Sequence, residues 1–371
     1  MSLTFAGRRK ARLASVAALG AATALLAAVG TSGSAQATSV STRHGVLPTV
    51  DGAAQIRAQH AAKSAVATGD ETLSYGGGID GVGVMSGHPK VYVIFYGSQW
   101  GTQHKDDNGN LTFSNDSYGG APVAQSFFKG IGTGHEQWSG TMTQYCDGPQ
   151  VQAGATSCPA GAAHVPYPHG GVLAGVWYDN SQASPASATG NQIGQEALKA
   201  AHHFGNTTPA SNRYAYYVVM SPTGTNPDDY QGQYCAWHDY NGDTTLTGGA
   251  IASDVGEFAF SNQPYSMDVN NCGKNFLTAG SKGTLDGWTM AIGHEYSETV
   301  TDQFPAGGWT NNVPGSTWNG YENADECAWL KGVTGGADYV KMGSGTYAEQ
   351  GSWSNDTNSC ALTHPTVKSD K

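Results

Sequence analysis

The sequence predicts an α/β (α+β) fold: a single large domain with a central mixed sheet, flanking helices and long disulfide-tied loops. Three observations carry that reading. Short runs of β-branched and aromatic residues alternate with helix-forming stretches, the pattern of a sheet layered with helices. Six cysteines, at 146, 158, 235, 272, 327 and 360, form an even set without Cys-x-x-Cys spacing, which reads as three disulfides. The 52 glycines in 371 residues are about twice the usual share, and with many Tyr, Trp, Ser, Thr and Asn they mark long hydrogen-bonding loops.

In chain order, residues 1–37 read as a secretory signal peptide. Arg8, Arg9, Lys10 and Arg12 form a basic start, Leu13–Gly30 is an Ala/Leu-rich apolar run, and Ala35-Gln36-Ala37 is a small-x-small cleavage site. Its removal takes away four positive charges and moves the formal net charge from −11 to −15. An acidic chain without a basic stripe argues against nucleic acid or an anionic membrane surface as partner. No later stretch is long and apolar enough to span a bilayer, so the mature protein is expected outside the cell and off the membrane.

Residues 38–72, rich in Ala, Gln, Ser and Thr, read as a mobile N-terminus or short pro-segment. The globular domain is expected over 73–364, with 365–371 as a tail. Lys90–Tyr96, Val172–Tyr178 and Tyr214–Met220 are continuous apolar runs ended by turn residues, so each is predicted as a central strand buried on both faces. Helices are predicted over Pro122–Ile131 and Asn191–His203, the second rich in good helix formers and stopped by Gly205-Asn206. A third starts near Ser281 or Thr284 and runs through Gly293-His294-Glu295-Tyr296-Ser297-Glu298. The most compact cysteine pairing is sequential: Cys146–Cys158, Cys235–Cys272 and Cys327–Cys360.

The third helix carries the chemistry. Residues i and i+4 project on one side of a helix about 6 Å apart at Cβ, so His294 and Glu298 can grip one ion together. Glu295 stands beside His294 as the glutamate does in His-Glu-x-x-His metalloproteases, where it takes a proton from metal-bound water. Here a glutamate replaces the second histidine. Trp288, Ile292, Tyr296 and Thr299 or Val300 form an apolar stripe, which would pack on the sheet and leave His294 and Glu298 on the opposite, polar face. Downstream, Glu322 and Asp325 in Tyr321–Cys327 are the candidate third ligands, since zinc sites commonly draw one from a later segment. The competing reading is an ordinary solvated helix face with an i,i+4 pair and wet loop acids. His238, three residues after Cys235, is either an added ligand or a structural loop histidine. Asp239–Asp243 lacks the closing glutamate of a calcium loop, and no Gly-x-Ser-x-Gly elbow is present.

Four pieces occur in order: Val91–Gly97, Tyr234-Cys235-Ala236-Trp237-His238, His294-Glu295-x-x-Glu298-x-x-Thr301-Asp302, and Glu322-x-x-Asp325-x-Cys327. In this set the chain resembles exported bacterial proteins related to the plant phosphate-induced (exordium-like) secreted proteins, over most of residues 76–360. The resemblance implies a variant zincin site, with His294, Glu298 and one or both of Glu322 and Asp325 as ligands and Glu295 as base. Asn311–Gly320 is longer than the corresponding turn, which bears on where Glu322 falls. The function expected is that of a secreted metal-dependent hydrolase, a zinc metallopeptidase acting on extracellular peptide or protein. Its alternative is a non-enzymatic cell-wall or glycan-binding protein with a structural metal, motivated by nine Trp and eighteen Tyr that stack on sugars or fill the core. A carboxylate-rich shell also suits calcium or manganese.

Overall fold

A computed structural model of the chain describes residues 45–63, 69–231 and 233–367. The signal peptide, the start of the 38–72 stretch and the last four residues of the tail lie outside the described residues. Six strands form the central sheet: β1 (Val46–Pro48), β2 (Lys90–Tyr96), β3 (Leu173–Asp179), β4 (Ala215–Met220), β5 (Tyr234–Tyr240) and β6 (Ala259–Gln263). Their spatial order is β1-β5-β6-β4-β2-β3. The strands from β6 to β3 run parallel, while β5 is antiparallel to both β1 and β6. The sheet is mixed, as the sequence predicts.

Two of the three apolar runs, β2 and β4, are central, and their alternate side chains feed two cores. Val91, Val93, Phe95, Tyr216, Val218 and Met220 pack in one; Tyr92, Ile94, Tyr96, Tyr217 and Val219 pack in the other. Val172–Tyr178 instead supplies β3, the edge strand. Its residues Leu173 to Tyr178 are partly buried or exposed because, among the described residues, no further strand covers that side. Helix α3 (Gly190–His203) covers the second core, opened by a reciprocal capping box between Thr189 and Gln192. Helices α2 (Gly120–Gly130) and α4 (Asp286–Thr301) lie in the first. The result is helix, sheet, helix.

The pro-segment stretch behaves differently from its composition. Val46–Pro48 is the edge strand β1, and helix α1 (Val50–Lys63) follows it. Leu47, Ala53 and Ile56 are buried, and the Arg57 guanidinium donates to the Ala328 carbonyl. The physical reason is the sheet edge: β5 carries a row of backbone donors and acceptors that β1 satisfies.

Helix α4 departs from the expected two-faced pattern, for all sixteen of its residues are buried. Its apolar stripe packs as expected; its polar face is roofed by the segments around Glu322–Asp325 and Glu349–Gln350. The helix absorbs its own hydroxyls, with Ser297, Thr299 and Thr301 donating back to the carbonyls of His294, Glu295 and Ser297. Gly293 is required by close approach, since a Cβ there would lie 2.0 Å from Glu349 Oε2.

The three disulfides pair sequentially: Cys146–Cys158, Cys235–Cys272 and Cys327–Cys360. They fit an oxidising compartment, and no described helix is long and apolar enough to cross a membrane. Eight tryptophans are buried in the core (100, 138, 237, 288, 309, 318, 329 and 353), and Trp177 is half-buried.

Candidate metal centre

Three elements build the site. Helix α4 supplies His294 and Glu298, strand β5 supplies His238, and the loop turn Glu322–Asp325 supplies its two acids. The strand Trp309–Asn311 leads into that turn by pairing with Leu73–Tyr75. The Asn311–Gly320 stretch then closes on itself: Asn311 N–H donates to the Tyr321 carbonyl, and Gly320 N–H donates to the Asn311 carbonyl. Trp318 is buried within this stretch, and Glu322, bridged to Thr310, is fully buried. Cys327, two residues past Asp325, is tied to Cys360 and anchors the turn.

His238, His294, Glu295, Glu298 and Glu322 are 0% exposed, and Asp325 is 3% exposed. Two groups of three ligand atoms form, each with its atoms within 4.8 Å of one another: His294, Glu298 and Asp325, and His238, Glu298 and Glu322. In the first, His294 Nε2 lies 3.0 Å from Glu298 Oε1 and 3.5 Å from Asp325 Oδ1. In the second, His238 Nε2 lies 2.8 Å from Glu322 Oε2 and 3.6 Å from Glu298 Oε2. Glu298 belongs to both and gives each group a different oxygen.

The remaining hydrogen bonds orient these groups. Glu298 Oε1 accepts from the Asp325 backbone N–H at 3.1 Å, and Asp325 Oδ2 accepts from the Glu322 N–H at 3.2 Å. The Gln350 amide bridges His294 Nδ1 and the Ala324 carbonyl, which holds the imidazole with Nε2 toward the carboxylates. Asp302 is buried beyond the helix end, where it accepts from the N–H groups of Ala306 and Gly308 and shapes the next turn.

Several buried polar atoms have no hydrogen-bond partner within the protein: His294 Nε2, Glu298 Oε2, Glu322 Oε1, Asp325 Oδ1 and both oxygens of Glu295. His294 Nε2 is close to Glu298 but off the line of a hydrogen bond. Unpartnered buried acceptors cost about 1–3 kcal/mol each, more when charged, so a cluster of them calls for a ligand. Burial pushes Glu295, Glu298 and Glu322 well above the usual carboxylate range, and their mutual repulsion adds to the rise. Burial pulls His238 down to about 4. For His294 the same pull is outweighed by Asp325 and the surrounding carboxylates, and the net direction is upward. A divalent ion would reverse this balance by favouring every carboxylate in its charged form.

The donor chemistry fits a metal: imidazole nitrogens and carboxylate oxygens on rigid supports, with a charge deficit at the centre. All four predicted ligands converge, but in two groups rather than one. Glu295 lies next to them on α4. His238 is the residue sequence reasoning left undecided; its signal is only the Cys-x-x-His spacing in Cys235–His238, and the partner acids come from 60 and more residues away. A third group of possible ligands, Cys146, Cys158 and His164, is spent, because its two thiols form a disulfide.

Compared with models of known protein families, with curated proteins and with solved structures, the chain matches none.

Proposed function

We propose that this is an exported metalloprotein that holds a divalent ion in its interior through His294, Glu298 and Asp325. The observation that supports this reading most is the convergence of these buried donors, each with one atom (His294 Nε2, Glu298 Oε2, Asp325 Oδ1) that has no hydrogen-bond partner in the protein. Zinc is the ion the nitrogen–oxygen set favours, ahead of calcium, which prefers oxygen alone. Complete burial of the ligands suits an ion that ties α4 to the Glu322–Asp325 turn and stabilises the fold. Metal analysis of the purified protein tests it. Stoichiometric metal that is lost in His294→Ala is the expected result; sub-stoichiometric metal unaltered by that substitution overturns it.

A second reading, a metal-dependent hydrolase acting on extracellular peptide or protein, is favoured by Glu295. Both of its oxygens lack a hydrogen-bond partner, and it stands one residue from His294, the position from which a carboxylate takes a proton from an attacking water. The metal would supply the Lewis acid; Glu295 would hold the proton. Turnover of a protein substrate that survives Glu295→Gln removes Glu295 as base, and no turnover by the metal-loaded protein leaves the stabilising role alone.

A further inference from the structure

We infer that the interior holds a second divalent cation, between His238, Glu298 and Glu322, and that Glu298 bridges the two ions. The inference rests on the first site proposed above and extends it with a residue, His238, from another part of the fold.

Three observations carry it. The ligand atoms separate into two groups, and neither histidine belongs to the other's group. Two donors on one zinc at about 2.1 Å each can stand at most about 4.2 Å apart, so a ligand set that divides this way calls for two centres. Glu298 then divides its carboxylate, with Oε1 toward His294 and Oε2 toward His238. That is the arrangement of a bridging carboxylate, and two-metal sites have ions about 3.5–4 Å apart. Charge points the same way. Glu295, Glu298, Glu322 and Asp325 carry up to four negative charges around the centre, and the positive partners in ion-pair contact with the last three, among the described residues, are the two histidines. One dication leaves a buried excess of negative charge, to which Asp302 beside Glu322 adds, and a second offsets more of it.

The second site is built as firmly as the first. His238 sits on β5, and its backbone N–H donates to the Gly45 carbonyl at 2.9 Å. Gly45 presses against the ring: its φ is +65°, and a Cβ there would lie 2.8 Å from His238 Nε2. The strand order therefore places Gly45, at the start of the edge strand, against the nitrogen that would bind the ion. Glu322 Oε1 and Glu298 Oε2 are buried and unpartnered beside it.

The test uses the mature protein, stripped of metal and reloaded with Zn²⁺ or Mn²⁺, with bound metal counted after dialysis. Two equivalents are expected in the wild type and one in His238→Ala. One equivalent in the wild type overturns the second site and leaves the first standing; none overturns both. Reloading with Mn²⁺ gives an independent readout that does not depend on the variant folding. An exchange-coupled spectrum at two equivalents supports the bridge, and two isolated-ion signals overturn it. Gly45→Ala puts a methyl 2.8 Å from His238 Nε2 and 2.7 Å from its carbonyl oxygen at a φ of +65°, so it is expected to displace His238 and weaken the second equivalent at least tenfold while leaving the first unchanged.

Discussion

Two acidic clusters in this molecule differ in how their charge is met. At the end of β3, Asp179 pairs with the Lys199 ammonium and accepts from the Ser181 N–H at 3.0 Å, while Glu196 stands 3.8 Å from the same lysine. Lys199 is half exposed, and its ammonium lies 5.5 Å from the Trp177 ring centre. That cluster carries its own cation. The cluster around Glu298 is buried deeper and, among the described residues, has only histidines as positive partners. A buried carboxylate beside lysine is a finished ion pair; buried carboxylates with nothing but imidazole beside them call for an outside cation. The difference explains why one cluster is expected to depend on an outside ion and the other is not.

The largest effect should follow from removing that ion. Chelation is expected to lower the melting temperature by about 10 °C or more, with recovery on adding Zn²⁺, because binding energy of a structural metal is folding energy. Lys199→Met removes the cation but leaves buried Asp179 its hydrogen bonds from Ser181 and Glu196, so the shift should be smaller, on the order of a few °C. Equal responses to chelator and to Lys199→Met would erase the contrast between the clusters.

Next in size is the Cys327–Cys360 staple, which closes a sequence separation of 33 residues and anchors the turn bearing Glu322 and Asp325. Replacing both cysteines with serine should cost about 2–4 kcal/mol in denaturant unfolding. It should also weaken metal binding, whereas the corresponding Cys146–Cys158 replacement should destabilise the fold and leave metal affinity unchanged. Metal titrations of the two variants separate these outcomes.

Gly293→Ala comes third. The added methyl meets Glu349 Oε2 at 2.0 Å inside a packed core, and overpacking of this kind costs about 1–3 kcal/mol. Glu349 is itself buried, with both oxygens unpartnered, and burial pushes its carboxyl well above the usual range. Glu349→Gln should therefore be nearly neutral in thermal unfolding at neutral pH. A large loss there would mean that Glu349 is ionised and belongs with the metal cluster.

Much of this architecture was legible in the chain because it depends on local chemistry. Apolar runs such as Val91–Phe95 specify strands buried on both faces, and the helix formers of Asn191–His203 specify α3. The i,i+4 spacing of His294 and Glu298 likewise survives into the site. What sequence could not convey was the environment of α4. An apolar stripe beside a polar stripe implies solvent on the polar side, yet here that side is covered by Glu322–Asp325 and Gln350, segments brought in by disulfides and loop closure. His238 was obscure for the same reason, because its relation to Glu298 exists only through the pairing of β5 in the sheet. The edge role of Val46–Pro48 also depends on a strand almost two hundred residues away.

The smallest effect belongs to the outer cluster, and its sign can be worked out. Burial, aided by Asp179, raises the Glu196 carboxyl from its ordinary 4.5 to about 8. Asp179 moves the other way, to about 2, because the hydrogen bond from Lys199 and those from Ser181 and protonated Glu196 outweigh the opposing effect of its burial. Below pH 4.5 Glu196 is protonated in both folded and unfolded chains and contributes no slope. Between 4.5 and 8 the unfolded chain releases this proton while the folded chain keeps it, so stability falls as pH rises through that window. Above 8 the full penalty remains. Glu196→Gln retains an N–H donor toward Asp179 and removes the titration. Its melting temperature should match the wild type near pH 4 and exceed it by on the order of a few °C at pH 8. An advantage that is constant across this range would show that Glu196 does not titrate there, and that the outer cluster keeps one charge state throughout.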